Sequence, residues 1–291
     1  MARPATPSSR TWTLYHVPPS FYSQVARLVL TEKQIAYRAA AAVPGPPNFG
    51  TYRPWYMRLN PMGTVPTLVR GDEVLDDSRK IMELAGATPE GPSLRPSDAH
   101  ALAEMERWVD DAYAISERVL AYGSDRMQRM GLRVNAGRRR ALVSWRDKAP
   151  ELAEVYTAKL ADLDRFMADA ADADTVKAQL DALGSRLDTL NEALHDRDFI
   201  CGDDYSLADV IWTVTVARKI MMGHDVFASR PHLHRWFQRM RARPSFDAAD
   251  VWTRFKPHKM IPIALREFRR HLIVAGVACV SLALVLAWLL G

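Results

Sequence analysis

Apolar and polar positions change their spacing at about residue 90 of the chain. Before that point, short apolar runs alternate with stretches of helical period, which predicts a strand at 12–17, a helix at 20–35, a strand at 37–43, a short helix at 55–59, a hairpin at 67–75 and a helix from 76 onward. This βαβαββα order is typical of a thioredoxin-like α/β domain.

The chain after residue 97 is predicted to be helical. A 3.6-residue period with breaks at Gly or Pro indicates helices at 99–121, 150–168, 173–195, 206–222 and 230–242. The stretch 123–149 has weak periodicity and contains three consecutive arginines from Arg138, so it is either a mobile basic segment or an exposed helix. The predicted organisation is a disordered N-terminus at 1–11, a thioredoxin-like domain at 12–90 and an all-α helical bundle at 97–252.

The last part of the chain has a third pattern. Residues 272–290 contain no charged side chain, and as a helix they would span roughly 28 Å, about the hydrocarbon thickness of a bilayer. The preceding segment, 253–271, holds six Lys or Arg and one Glu, a net charge of +5 that equals that of the whole chain. We therefore expect a C-terminal transmembrane helix that contacts membrane lipid through 272–290, behind a basic juxtamembrane segment, with the globular part in the cytoplasm.

Two alternatives stay open for this segment. The first is that the segment is a buried core helix and not a membrane span. The second concerns which membrane it crosses: the Ala- and Arg-rich composition favours a bacterial inner membrane, and the alternative is an organelle outer membrane. Placement of the full net charge beside the predicted span argues against a nucleic-acid-binding body. Two cysteines are too few for a disulfide framework, and His232 and His234 lack a third ligand, so neither disulfides nor a metal is expected.

Two local motifs have the chemistry to bind a peptide. In the run Asn60-Pro-Met-Gly-Thr-Val-Pro-Thr-Leu68, Pro66 opens a strand, and a cis bond there exposes the backbone N–H and C=O of Val65 to a peptide laid alongside. Asp77 and Ser78 begin a helix, where free N–H groups and a hydroxyl bind a carboxylate and the Asp side chain binds an ammonium. An α-amino acid group carries both charges.

These motifs, followed by a helical second domain, resemble the glutathione S-transferase superfamily. The resemblance implies glutathione as a co-substrate, with Val65 and Pro66 at its cysteinyl backbone and Asp77 and Ser78 at its γ-glutamyl end. Leu14-Tyr-His16 and neighbouring motifs resemble the ganglioside-induced differentiation-associated protein 1 group, which also has a C-terminal membrane anchor.

The tetrachlorohydroquinone reductive dehalogenases are a less similar group. Their nucleophilic cysteine aligns with Tyr22, which puts dehalogenase chemistry in question. The run 201–209 is similar to the family's second-domain capping box, in which Ser206 and Asp209 cap one helix start reciprocally, a structural role.

Conjugation needs glutathione as a thiolate, although an unperturbed thiol has a pKa of about 8.5. A hydroxyl near a helix N-terminus stabilises the charged form. Ser20, Tyr22 and Ser23 lie where the first strand meets the first helix, and we rank them as catalytic candidates in that order. The alternative is that they only cap the helix. Without a cysteine here, glutaredoxin-like thiol transfer is disfavoured.

Two functions fit these observations. The first is a membrane-anchored glutathione S-transferase that acts on a hydrophobic electrophilic small molecule by thiolate attack. The second is a non-catalytic glutathione- or lipid-sensing, membrane-organising protein of the same fold. The sequence leaves a homodimer open and does not name the electrophile.

Overall fold

A four-stranded sheet with helices against it forms the first third of the chain. The computed structural model describes the backbone of residues 11–123 and 125–269 and, outside 125–130, their side chains. The strands are β1 Trp12–His16, β2 Tyr37–Ala41, β3 Thr67–Arg70 and β4 Glu73–Leu75. The helices are α1 Phe21–Glu32, α2 Pro54–Met57 and α3 Ser78–Ala87, with a 3₁₀ turn at Gly50–Tyr52.

Strand β1 lies inside the sheet, whose order is β2-β1-β3-β4. It runs parallel to β2 and antiparallel to β3, which pairs with β4 through a tight turn where Gly71 has a φ of +60°. The antiparallel register sets Tyr15 opposite Thr67. The segment that precedes β3 therefore lies beside the end of β1, where α1 begins.

Helices make up most of the chain after α3. They are α4 Ala99–Tyr113, α5 Glu117–Tyr122, α6 Asp125–Lys148, α7 Ala153–Ala171, α8 Ala173–Ala193, α9 Leu207–Met222, α10 Pro231–Ala242 and α11 Pro244–Ala248. The single helix predicted at 99–121 is two helices, interrupted at 114–116. Helix α9 is apolar almost all round, and most of its residues are buried, because α1 and α4 both pack on it.

Two clusters of buried side chains stabilise this arrangement. The larger joins the sheet to the helical domain and includes Leu14, Leu68, Trp108 and Trp212. The smaller lies between α2, α6 and α7 and includes Met57, Leu142, Tyr156 and Phe166. Because Leu142 is fully buried in this second cluster, the stretch 123–149 contains a packed helix and not a mobile basic segment.

The expected membrane-spanning helix requires a correction. Crossing a bilayer takes about 20 predominantly apolar residues. In the ranges 11–123 and 125–269, no helix is both long and apolar enough to do so. The C-terminal unit, which begins at Lys256, contributes a described helix over 257–269 that carries Lys259, Arg266, Glu267 and Arg269. The predicted span, 272–290, lies outside the described residues.

The fold class is corrected accordingly to a thioredoxin-like domain followed by a helical domain, with no transmembrane helix among the residues that the structure describes. The membrane localisation and the lipid partner, both of which depended on that helix, are corrected with it.

Candidate active site

The junction between β1 and α1 holds the predicted catalytic residues. Ser20 is the N-cap of α1, and its Oγ accepts a hydrogen bond from the N–H of Ser23 over 3.3 Å. An N-cap oxygen that accepts from the backbone keeps its own proton free to donate. Ser20 is half-buried, so a ligand atom at the start of α1 can reach its hydroxyl.

Tyr22 lies two residues further, and its ring packs against two other aromatic rings. It contacts Phe21 edge to face and lies parallel to Tyr113, with ring centroids 6.2 Å apart and an angle of 4° between the planes. Burial, and then the negative charge of Glu117, raises the pKa of Tyr22 to about 12. At neutral pH its hydroxyl is therefore protonated and can act only as a neutral donor to a thiolate.

Ser23 has a different environment from its two neighbours. Its side chain is fully buried, and its Oγ has no hydrogen-bond partner among the described residues. A ligand sulfur cannot approach this hydroxyl without opening the packing of α1. The three candidates, which share one local sequence signal, thus differ in access to a ligand.

The peptide bond between Val65 and Pro66 is cis. Within residues 11–123 and 125–269, neither the N–H nor the C=O of Val65 forms a hydrogen bond, so both groups are available to an extended peptide. Because Tyr15 pairs with Thr67, these groups lie beside the end of β1, close to the start of α1.

Asn60 connects this loop to the acidic segment before α3. Its buried Nδ2 lies 3.1 Å from the carbonyl oxygen of Thr64, 3.0 Å from Oγ1 of Thr67 and 2.9 Å from the carbonyl oxygen of Asp76. The hydroxyl of Tyr56 adds a second bond to the same loop carbonyl, over 2.6 Å. One amide therefore sets the separation between Val65 and the start of α3.

Asp77 and Ser78 occupy the N-terminus of α3, as the sequence predicts. Asp77 is the N-cap and accepts from the N–H of Arg79 over 2.7 Å, and its exposed side chain leaves a carboxylate oxygen for an ammonium group. Ser78 is 1% exposed, and its Oγ lies 2.8 Å from the hydroxyl oxygen of Tyr113 at the end of α4. Through Tyr113, the start of α3 is connected to the ring of Tyr22.

Asp209 and Ser206 lie in the core at the start of α9, away from these groups. The carboxylate of Asp209 accepts from the N–H and the hydroxyl of Ser206, and also from the backbone N–H of Ile200 and the indole of Trp236. This pair joins the start of α9 to α10 and to the preceding loop, so it is placed as a structural element.

Sequence reasoning missed three contributors to the site. Tyr113 and Arg218, which donates to the carbonyl oxygen of Pro19 beside Ser20, come from helices far along the chain and have no local motif. Glu117, whose charge acts on Tyr22, is paired with Lys219 over 2.6 Å in the interior. Asn60 belongs to the sequence motif at 60–68, but the role of its amide is evident only from its contacts. In the part of the chain that the structure describes, no group of His, Cys, Asp or Glu is arranged to hold a metal ion.

Comparison with known proteins places these features in a family. Residues 14–93 match the family model for the glutathione S-transferase N-terminal domain, and residues 142–244 match the model for the C-terminal domain. A tetrachloro-p-hydroquinone reductive dehalogenase of Sphingobium chlorophenolicum is 34% identical over 84% of this chain and 97% of that protein. The human ganglioside-induced differentiation-associated protein 1-like 1 is 26% identical over 92% of this chain and 82% of its own length.

Among solved structures, the β-etherase LigF from Sphingobium sp. strain SYK-6 is similar in fold. It has a TM-score of 0.63 at 23% identity and covers 82% of this chain and 98% of its own. Both groups that the motifs indicated are therefore among the relatives, and identity is higher with the dehalogenase.

Proposed function

Since the chain belongs to the glutathione S-transferase family, we propose that it binds glutathione along Val65 and the start of α3 and transfers it to a hydrophobic aromatic electrophile. Its relatives are enzymes of the glutathione transferase type, so the prediction of such an enzyme is confirmed. The family uses glutathione on electrophilic substrates and often forms dimers.

One observation carries the assignment of the glutathione site. Free backbone groups at Val65 and a carboxylate and hydroxyl at Asp77 and Ser78 are held at a fixed separation by the Asn60 amide. An extended tripeptide can bind these partners with its cysteinyl backbone at Val65 and its γ-glutamyl group at α3. Its sulfur then lies towards the start of α1, near Ser20 and Tyr22.

The chemistry at that position is thiolate stabilisation and attack. The hydroxyl of Ser20 donates to the sulfur, aided by the positive end of the α1 dipole, and Tyr22 supplies a second donor. In the conjugation step the sulfur forms a bond to a ring carbon of the electrophile, and the bond from that carbon to a halide or aryl oxide breaks with departure of the anion. Ser23, which is buried, takes no part.

An aromatic electrophile is supported by the site and by the relatives. The rings of Tyr22 and Tyr113 form an aromatic wall beside the proposed sulfur position. The names of two relatives refer to a chlorinated hydroquinone and to an ether bond, both consistent with displacement of a leaving group. A complete reductive dehalogenation by a protein cysteine is not proposed, because the resemblance to the dehalogenases aligns their cysteine with Tyr22.

Binding and turnover of the full chain test this function. Titration calorimetry with glutathione measures binding, and 1-chloro-2,4-dinitrobenzene serves as a generic electrophile. We expect Ser20→Ala to lower kcat/KM at pH 7 about 10- to 100-fold, since a hydrogen bond to a charged group is lost, and to leave a smaller deficit at pH 9. Tyr22→Phe tests the second donor, and Ser185→Ala, at an exposed position on α8, is the control.

Each outcome separates the candidate functions. No glutathione binding at millimolar concentration would refute the proposal outright. Binding without turnover against a panel of aryl halides and aryl ethers would favour the non-catalytic, glutathione-sensing alternative.

A further inference from the structure

Ser78 is the buried hydroxyl at the start of α3, and its hydrogen-bond partner comes from the other domain. The hydroxyl of Tyr113 lies 2.8 Å from Ser78 Oγ, although 35 residues separate the two along the chain. Nearly all of the Ser78 side chain is covered, so the direction of its O–H is decided by this partner and by whatever ligand lies at the helix start.

Three contacts fix the ring of Tyr113. Tyr22 lies parallel to one face, Arg79 places its guanidinium 4.8 Å from the ring centroid, and Arg79 is itself paired with Asp110 one turn earlier on α4. Burial raises the pKa of Tyr113, so the phenol keeps its proton. The phenol has two acceptors within reach, Ser78 Oγ at 2.8 Å and the weakly accepting Sδ of Met82 at 3.5 Å. Donation to the stronger acceptor, Ser78 Oγ, leaves the serine proton for another acceptor.

We propose that Tyr113 is a positioning residue of the glutathione site: its hydroxyl donates to Ser78 Oγ and thereby directs the Ser78 proton towards the α-carboxylate of the γ-glutamyl group. Two hydroxyls in series polarise each other, so the bond from Ser78 to the carboxylate is stronger than that from an isolated serine. This inference rests on the proposed function, because it assigns a partner to the same glutathione site.

A purely structural role for the pair predicts a different result. If the bond only fastened α3 to α4, its loss would lower stability and affect every ligand of the site alike. The positioning role is specific to the γ-glutamyl carboxylate. An analogue that lacks only this carboxylate, γ-aminobutyryl-cysteinyl-glycine, separates the two roles.

The experiment measures Kd for glutathione and for this analogue with the full-length wild type, Tyr113→Phe, Ser78→Ala and the double variant. Tyr113→Phe retains the ring and its stacking and removes only the hydroxyl. We expect it to weaken glutathione binding about 5- to 20-fold, with less than a twofold change for the analogue. Ser78→Ala should weaken glutathione binding more, and the added Tyr113→Phe should then have no further effect.

Tyr156→Phe is the matched control. The Tyr156 hydroxyl donates to the carbonyl oxygen of Tyr52 over 2.8 Å in the smaller core. Like Tyr113→Phe, this substitution therefore removes one buried tyrosine hydrogen bond of the helical domain. Its Kd for both ligands should equal that of the wild type. Equal Kd values for wild type and Tyr113→Phe, or an equal loss for both ligands, would overturn the inference alone. A wild type that does not bind glutathione would overturn the proposed function and the inference together.

Discussion

Arg218 donates a hydrogen bond from Nη1 to the carbonyl oxygen of Pro19, over 2.9 Å and one residue before Ser20. The preceding carbonyl, that of Pro18, accepts from Nη2 of Arg27 over 3.2 Å. A guanidinium from α9 and another from α1 therefore hold the two residues that lead into the proposed catalytic serine. The position of Ser20 is therefore fixed by long-range contacts to the two preceding residues as well as by its own N-cap hydrogen bond.

Arg218→Gln should reduce catalysis more than it reduces stability. Without the charged donor, the Pro19 carbonyl and with it Ser20 are no longer fixed, so we expect a roughly tenfold loss of kcat/KM and about 1 to 2 kcal/mol of unfolding free energy. Steady-state kinetics and urea unfolding measure the two effects.

Arg235→Gln provides the comparison for this substitution. Arg235 also holds backbone carbonyls, those of Leu194 and His195 at 2.9 and 2.8 Å, but at the end of α8. The Arg235→Gln variant should be less stable than the wild type and should retain the wild-type kcat/KM. Equal kinetic losses in both variants would show that Arg218 has no special connection to the site.

Asn60→Ala should weaken both the fold and glutathione binding. The change removes both N–H donors of a fully buried amide, whose nitrogen lies within hydrogen-bond distance of three acceptors, at a cost of about 2 to 4 kcal/mol. Because the same amide sets the distance from Val65 to the start of α3, calorimetry should also show a Kd for glutathione raised about tenfold or more.

Asn191→Ala tests whether that loss of binding is specific. Asn191 is a buried amide of the helical domain that accepts from the N–H groups of His232 and Leu233. It should destabilise the protein and leave the Kd of the folded protein unchanged. If glutathione binding weakens in both variants to the same extent, general loosening explains the effect.

Local pattern predicted much of the first domain because its elements follow one another in sequence. The strand at Trp12, the hairpin around Gly71 and the helix start at Asp77 all appear near their predicted positions. These features depend on alternation, turn residues and caps, which neighbouring residues determine.

Tertiary contacts decided what local pattern left open. Ser20 and Ser23 carry similar local signals, but only the packing of α1 shows that the second is buried. The region 123–149 has weak periodicity because arginines line much of α6, and its packed face became evident only from Leu142 in the smaller core. Tyr113 could not be assigned to the site at all, since its contact with Ser78 joins two domains.

The ion pair between Lys219 and Glu117 should stabilise the protein only while it is intact. The atoms are 2.6 Å apart, and both side chains are almost entirely excluded from solvent. Lys219→Met leaves an uncompensated buried carboxylate and should cost about 3 to 5 kcal/mol of unfolding free energy. Adding Glu117→Leu, so that both charged groups are replaced by apolar side chains, should restore stability to within about 1 kcal/mol of the wild type. A double variant as unstable as Lys219→Met would contradict this account.

His16 makes stability depend on pH in the mildly acidic range. Its Nδ1 accepts from Nη1 of Arg27 over 3.2 Å, which requires a neutral imidazole. Burial first, and then the charge of Arg27, lowers the pKa of His16 to about 4, against 6.5 for an ordinary histidine, while Asp250 acts in the opposite direction. The unfolded chain therefore binds a proton at His16 at a higher pH than the folded protein does.

His16→Gln should remove part of the acid sensitivity of the fold. Between pH 6.5 and 4 the unfolded state of the wild type takes up the proton first, so the stability that His16 contributes is complete above about pH 6.5 and falls as the pH drops towards 4. We expect the wild type to lose roughly 1 to 3 kcal/mol more than His16→Gln over this interval, measured by urea unfolding at closely spaced pH values. His100→Gln, at an exposed position on α4, should follow the wild-type curve. Parallel curves for the wild type and His16→Gln would mean that His16 titrates alike in both states.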